Sequence, residues 1–226
     1  MRTAGALIAL VAASGTVAAA DFTKDFDTKS CTFRSSGKNP YFDLTPGFRA
    51  LFRGSENGKP VENTITVTDE TKTVDGVETR IVEERETHGG KLVEVSRNYF
   101  AICEGTNSVF YFGEDVDLYR RDEIVGHGGS WLAGTNGAKP GLIMPGVNLL
   151  GARYFQEVAP GIAMDQAETA ALNETVKTPA GVFEHCLKVR ETNPLEPGEL
   201  EFKLYAPGVG LVQDEGLKLV EYGTKR

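Results

Sequence analysis

The placement of proline and glycine constrains this chain more than any other feature. Six of its ten prolines are followed directly by glycine. Proline sets φ near −65° at the second position of a turn, and glycine supplies a positive φ at the third. Pro46-Gly47, Pro160-Gly161, Pro197-Gly198 and Pro207-Gly208 each fall between stretches of β-prone residues. Short runs at 48–53, 63–69, 71–74, 77–87, 91–103, 109–112, 117–119, 123–125, 153–158, 182–191, 199–205 and 211–222 alternate with such punctuation, which is the pattern of an all-β domain. Asp75-Gly76 is a hairpin dipeptide, and Gly89-Gly90 turns the chain again. Residues 164–173 (MDQAETAALN) favour helix by propensity. Their length and the hairpin that follows assign them to a strand.

Residues 126–151 break the pattern. Eight glycines in this stretch, with the single Trp131, exclude a continuous strand or helix. It reads as a long ordered loop, and such loops are usually functional or cover an open edge of the core. The expected architecture is all-β: a curved antiparallel sheet or open β-barrel of about ten strands, with this loop over one end. No linker divides the 226 residues, and all-β domains of this length fold as one unit.

The first twenty residues read as a signal peptide. Arg2 supplies a positive n-region, 4–17 an apolar core, and Ala18-Ala19-Ala20 a small-residue cleavage site, so Asp21 becomes the mature N-terminus. A membrane anchor is the alternative reading, but the apolar run falls short of the roughly 20 residues a span requires. No cysteine follows the cleavage point to carry a lipid. The expectation is a periplasmic or secreted protein without a membrane span after cleavage, and a monomer. Residues 21–38 form a polar arm and 39–226 a single β domain.

Charge excludes some partners. With 24 Lys+Arg against 32 Asp+Glu the net charge is −8, unsuited to nucleic acid or to an anionic lipid surface. In an oxidising compartment Cys31, Cys103 and Cys186 imply one disulfide and one free thiol. Three pairings are open, and all three cysteines stand far apart from any zinc-type spacing.

The catalytic templates fail one by one. Ser130 lies in G-G-S-W-L, where a nucleophile elbow requires glycine at Leu132. Ser35-Ser36-Gly37-Lys38 matches S-x-x-K but has no K-T-G partner, and Gly89-Gly90-Lys91 is followed by Leu92 rather than Ser or Thr. Glu114, Asp115 and Asp117 form the densest acidic motif, so calcium is the one cofactor to consider. Counted from Asp115, position 12 is Gly126, which rules out an EF-hand. The plainer reading pairs these acids with Arg120, Arg121 or Arg153. His127, Trp131, Glu157 and Asp165 would line one pocket if the Gly-rich loop folds over the sheet, and two carboxylates there could do acid–base work.

Six motifs carry a resemblance: N-P-Y-F-D-L-T-P-G (39–47), V-F-Y-F-G-E-D (109–115), G-S-W-L-A-G-T-N-G-A-K-P-G (129–141), Y-F-Q-E-V-A-P-G-I-A (154–163), T-P-A-G-V-F-E-H-C-L (178–187) and Y-A-P-G-V-G-L-V (205–212). Together they resemble a family of exported bacterial β-rich proteins without assigned activity. The last two are similar to the closing hairpins of lipoprotein-localisation-like half-barrels, which implies a curved sheet with a concave face. The resemblance implies no catalytic residue. In 182–191, Phe183, His185, Leu187 and Val189 share one face by alternation, and Glu184, Cys186, Lys188 and Arg190 the other. The expected function is non-enzymatic binding of a small or apolar ligand, or of an envelope partner. A structural protein of the envelope, and a hydrolase or isomerase using the pocket carboxylates, are the alternatives.

Overall fold

A computed structural model of the chain describes residues 21–56 and 58–224. The expected signal peptide, 1–20, lies outside the described residues. Ten principal strands build one antiparallel sheet: β1 (Phe48–Glu56), β2 (Lys59–Val74), β3 (Val77–His88), β4 (Lys91–Cys103), β5 (Ser108–Arg120), β6 (Gln166–Thr178), β7 (Gly181–Thr192), β8 (Glu201–Ala206), β9 (Gly210–Asp214) and β10 (Leu217–Thr224). Their spatial order is β5-β4-β3-β2-β1-β10-β9-β8-β7-β6. The first and last strands therefore pair at the centre, from Phe48 opposite Thr224 to Arg53 opposite Lys218. Two five-strand meanders fan out from this seam.

The outermost strands, β5 and β6, follow one another in sequence but stand at opposite ends of the sheet. Residues 121–165 connect them. Glu123–Gly126, Trp131–Leu132 and Gly141–Met144 pair along β5, and Arg153–Phe155 pairs with β6. A bridge from Lys139 to Val158 joins the two groups. The sheet is thus open, and the Gly-rich segment spans its gap. Glycine is required where this segment packs tightly: a Cβ on Gly141 would lie 2.0 Å from the Gln156 carbonyl oxygen.

Two pairs of runs expected as separate strands are continuous. Runs 63–69 and 71–74 belong to β2, and 109–112 and 117–119 to β5. In β5 the break is a bulge at Gly113, whose φ is +132° and whose Cβ would meet the Trp131 carbonyl oxygen at 2.3 Å. The bulge resets the alternation, so Tyr111 and Glu114 face the same side. A second bulge near His185 (φ +56°) does the same in β7. It turns Cys186, expected on the wet face, into the core with Phe52 and Leu219.

The N-terminal arm is less polar in place than its composition suggests. Phe26 and Phe33 stand edge-on to Phe110, and Phe33 also to Phe112, at 5.2–5.7 Å between ring centres. Phe33–Arg34 adds two residues of pairing to β4. Cys31 is bonded to Cys103, which leaves Cys186 as the free, buried thiol. The bridge closes a loop with a sequence separation of 72 residues. Replacing both Cys31 and Cys103 by Ser should lower unfolding stability by about 4 kcal/mol, read as a lower urea midpoint with a steeper slope because the unfolded chain loses its cross-link.

Candidate functional site

The face of the sheet that carries Tyr111 and Glu114 encloses two adjoining hollows. On β8, Glu201, Lys203 and Tyr205 alternate onto this face, opposite Glu191, Val189 and Leu187 of β7. The first hollow, about 130 Å³, is walled by apolar side chains that include Phe42, Phe48, Phe52, Phe100, Tyr205 and Leu211, and it also reaches Glu84, Lys203 and Asp214. The second, about 230 Å³, is lined by Asp165, Glu191, Glu196, Glu199 and Glu201, again with Lys203. Lys203 therefore lines both.

The electrostatics of this face are lopsided. Lys203 Nζ lies 2.9 Å from Glu191 Oε2 and 3.8 Å from Asp214 Oδ2. Burial alone would lower the Lys203 pKa; Glu191 and Asp214 outweigh it and hold the ammonium well above its ordinary value. The other Glu191 oxygen accepts from Gln156 Nε2 at 2.9 Å. Glu84 is raised by burial, against the pull of Lys203 and of Asn63 Nδ2 at 3.4 Å. Burial raises Asp214 as well. Glu114 is pushed up to about 8 by burial, with Glu84, Glu94 and Asp165 adding to the effect against the neighbouring Tyr111 hydroxyl, whose proton goes to Asn98 Oδ1. Glu157 rises well above the carboxylate range through burial and then through Asp165 and Glu114. Burial lifts Glu201 to about 7. Among the described residues Lys203 is the cation placed among Glu84, Glu114, Glu157, Asp165, Glu191 and Asp214, and burial favours the protonated form of Glu84, Glu114, Glu157 and Asp214.

Of the four residues that the sequence grouped, two meet directly. Asp165 lies close enough to Glu157 to raise its pKa, and the amides of Gln156 and Glu157 both donate to the Asp165 carbonyl oxygen. Trp131 is buried edge-on to Tyr111 at 5.4 Å, and its Nε1 has no hydrogen-bond partner among the described residues. It lines a separate hollow with Leu132, Ala138, Ala159 and Ile162. His127 does not join them. Its Nδ1 lies 2.9 Å from the Val116 carbonyl oxygen and 3.0 Å from Asp117, and its side chain is two-thirds exposed.

The acidic motif divides between the two faces. Glu114 turns inward, whereas Asp115 and Asp117 point to the opposite side. Asp115 pairs with Lys72 at 2.8 Å and accepts from the Tyr99 hydroxyl; Asp117 pairs with Arg97 at 2.9 Å. The partners are therefore Lys72, Arg97 and His127 rather than Arg120, Arg121 or Arg153. Among the described residues no group of three or more His, Cys, Asp or Glu is arranged to hold a metal ion.

Glu84, Glu191, Lys203 and Asp214 were not singled out by sequence. The available signal was the alternation in E-F-K-L-Y (201–205), which sets Lys203 on the same face as Tyr205. Read as amphipathic, that strand points Phe202 and Leu204 inward. In the structure Lys203 turns to the hollows, the Lys188 ammonium covers the Phe202 ring at 4.2 Å, and Leu204 packs against the core cluster of Cys186 and Leu219.

A scan against protein-family models, a search of curated proteins and a search of solved structures each return no match to this chain.

The raised acids set the pH dependence of stability. Their folded pKa lies above the unfolded value of roughly 4.3, so their contribution is complete below that pH and is lost as pH rises through the folded value. For Glu114 the window is pH 4.5 to about 8. The melting temperature should fall across this window, with Glu114 contributing on the order of 5 kcal/mol. Glu114→Gln should flatten the profile, as measured by thermal unfolding at successive pH values.

Proposed function

We propose that the protein is an exported, non-catalytic binding protein for a small molecule with an apolar body and a neutral hydrogen-bonding head. The supporting observation is the 130 Å³ hollow, whose mostly apolar wall is interrupted by Glu84, Lys203 and Asp214. An apolar cavity of roughly 150 Å³ accepts benzene, so the body is about one ring in size. The head follows from charge. An ammonium would meet Lys203, and a carboxylate would meet Asp214 while Lys203 is already engaged by Glu191 and Asp214. A hydroxyl or amide can donate to Asp214 and meet Glu84, whose protonated form burial favours, without adding charge to a buried site. Export enters this reading through residues 1–20 and agrees with the Cys31–Cys103 bond. Among the described residues no helix is long and apolar enough to cross a membrane.

Benzyl alcohol, benzoate and benzylamine share one ring and differ in the head. Benzyl alcohol should raise the melting temperature and be retained in native mass spectrometry, and the two charged analogues should not. Val82→Phe, which grows into the hollow, should abolish the effect while the urea midpoint confirms a folded protein. Equal responses to all three compounds, or none to benzyl alcohol and none to ligands extracted from the host compartment, would end the proposal.

Lys203→Met should be costly for a different reason. It leaves Glu191 and Asp214 enclosed without their cation, a loss of about 3–5 kcal/mol at neutral pH. The urea midpoint at pH 7 measures it, and the deficit should shrink as pH falls and Asp214, raised by burial, takes up a proton.

A further inference from the structure

We infer that the hollow lined by Trp131, in the Gly-rich connection, is a binding site for one uncharged sugar ring. It has a volume of about 230 Å³ and lies between residues 130–138 and 159–162, beside Asp115 of β5. A cavity of roughly 150 Å³ accepts benzene, so a single ring with its substituents fits. The lining is of two kinds. Trp131, Ala138, Ala159, Pro160 and Ile162 give an apolar wall, and Asp115, Ser130, Thr135 and Asn136 give hydrogen-bonding groups. A pyranose is divided in the same way, with C–H bonds on its faces and hydroxyls around its edge. Small-molecule sites combine an apolar wall with a few placed polar groups.

The polar groups suit hydroxyls, which both donate and accept. Ser130 Oγ accepts from Val116 N at 2.8 Å, which leaves its hydroxyl hydrogen to donate. Asp115 Oδ2 takes the Lys72 ammonium at 2.8 Å and the Tyr99 hydroxyl, which leaves Oδ1 as an acceptor. The Thr135 hydroxyl and the Asn136 amide belong to exposed residues, and each can donate and accept. Charge selects a neutral guest. Lys72 already compensates Asp115, so a cation gains little there. No Lys, Arg or His among the described residues lines the hollow, so an anion would lose water without meeting a counter-charge.

Both walls are held by backbone hydrogen bonds. Asn136 (φ +52°) and Gly137 (φ +80°) are the centre of a two-residue turn that Ala138 N closes on the Thr135 carbonyl oxygen at 2.9 Å. Gly134 N donates to the Ala138 carbonyl oxygen at 3.0 Å, and Lys139 N to the Val158 carbonyl oxygen at 2.8 Å, which ties this turn to the opposite wall. There Ala159 and Ala163 exchange two backbone hydrogen bonds, and Ile162 N donates to the Ala159 carbonyl oxygen at 3.0 Å. A hollow fixed in this way loses little freedom when a guest binds. The site is independent of the benzyl alcohol reading, because it shares no lining residue with either hollow that Lys203 lines.

Trp131 is the only tryptophan of the chain and lines this hollow, so its fluorescence reads the site directly. Methyl glucoside, methyl galactoside, methyl mannoside and N-acetylglucosamine are the neutral probes, with glucuronate and glucosamine as charged counterparts. At least one neutral sugar should shift the Trp131 emission saturably, and the two charged sugars should not. Thr135→Val/Asn136→Gly removes two hydrogen-bonding groups, and glycine takes the same positive φ as Asn136. That variant should bind the sugar at least about tenfold more weakly, the loss expected from one or two net hydrogen bonds. Its urea midpoint and its response to benzyl alcohol should match the wild type, which separates failure of this site from failure of the other. No saturable shift with any neutral sugar, equal binding of the charged sugars, or binding that the substitutions leave unchanged would overturn the inference.

Discussion

The pairing of β1 with β10 is the constraint on which the rest of the structure depends. Because the two ends of the principal strand order meet at the centre, each half of the chain can only grow outward. The strands adjacent in sequence at mid-chain, β5 and β6, are thereby driven to opposite edges. A long connection is then unavoidable, and its path is fixed by the edges it must cover. Residues 121–165 cap β5 with three short segments, reach across, and pair with β6. An open strand edge invites pairing with other chains, and this connection removes that hazard along β5. The exposed turn at 147–150 and the approach of Glu157 to Asp165 both lie in the second half of this connection.

The enclosed face shows which interaction dominates inside. Burial raises Glu84, Glu157 and Asp214, and among the described residues the Lys203 ammonium pairs with two carboxylates, Glu191 and Asp214. Burial thus favours the protonated form of the raised acids. The neutral-headed guest proposed above rests on that balance.

The fold was more legible than the site because turns are local and faces are not. Asp75-Gly76 announces its hairpin, and both residues do take positive φ, +48° and +78°. The strand assignment of 164–173 holds because β6 begins at Gln166 and continues to Thr178. Face assignment fails wherever a bulge intervenes. Nothing near Gly113 or His185 in the sequence marks the extra residue, yet each moves every later side chain to the other side of its strand. The arm misleads for another reason: Phe26 and Phe33 are isolated among polar neighbours and have no period, so their packing depends on Phe110, about eighty residues later. Glu157 and Asp165 were found through the turn between them; Lys203 was missed because its strand turns charged side chains toward the hollows.

The bulge at His185 has a consequence for oxidative folding. Once β7 is in place, Cys186 is fully buried among Phe52, Val176 and Leu219, with its Sγ turned toward the Phe183 carbonyl oxygen at 3.5 Å. Thiol–disulfide exchange requires access to an attacking thiolate, and burial both blocks the approach and raises the Cys186 pKa. Before the C-terminal meander closes, the chain has three interchangeable thiols; afterwards it has two. Fidelity of the Cys31–Cys103 bond is thus delegated to a strand that neither cysteine belongs to, and a chain that joins its two halves slowly would collect mispaired disulfides in proportion to the delay.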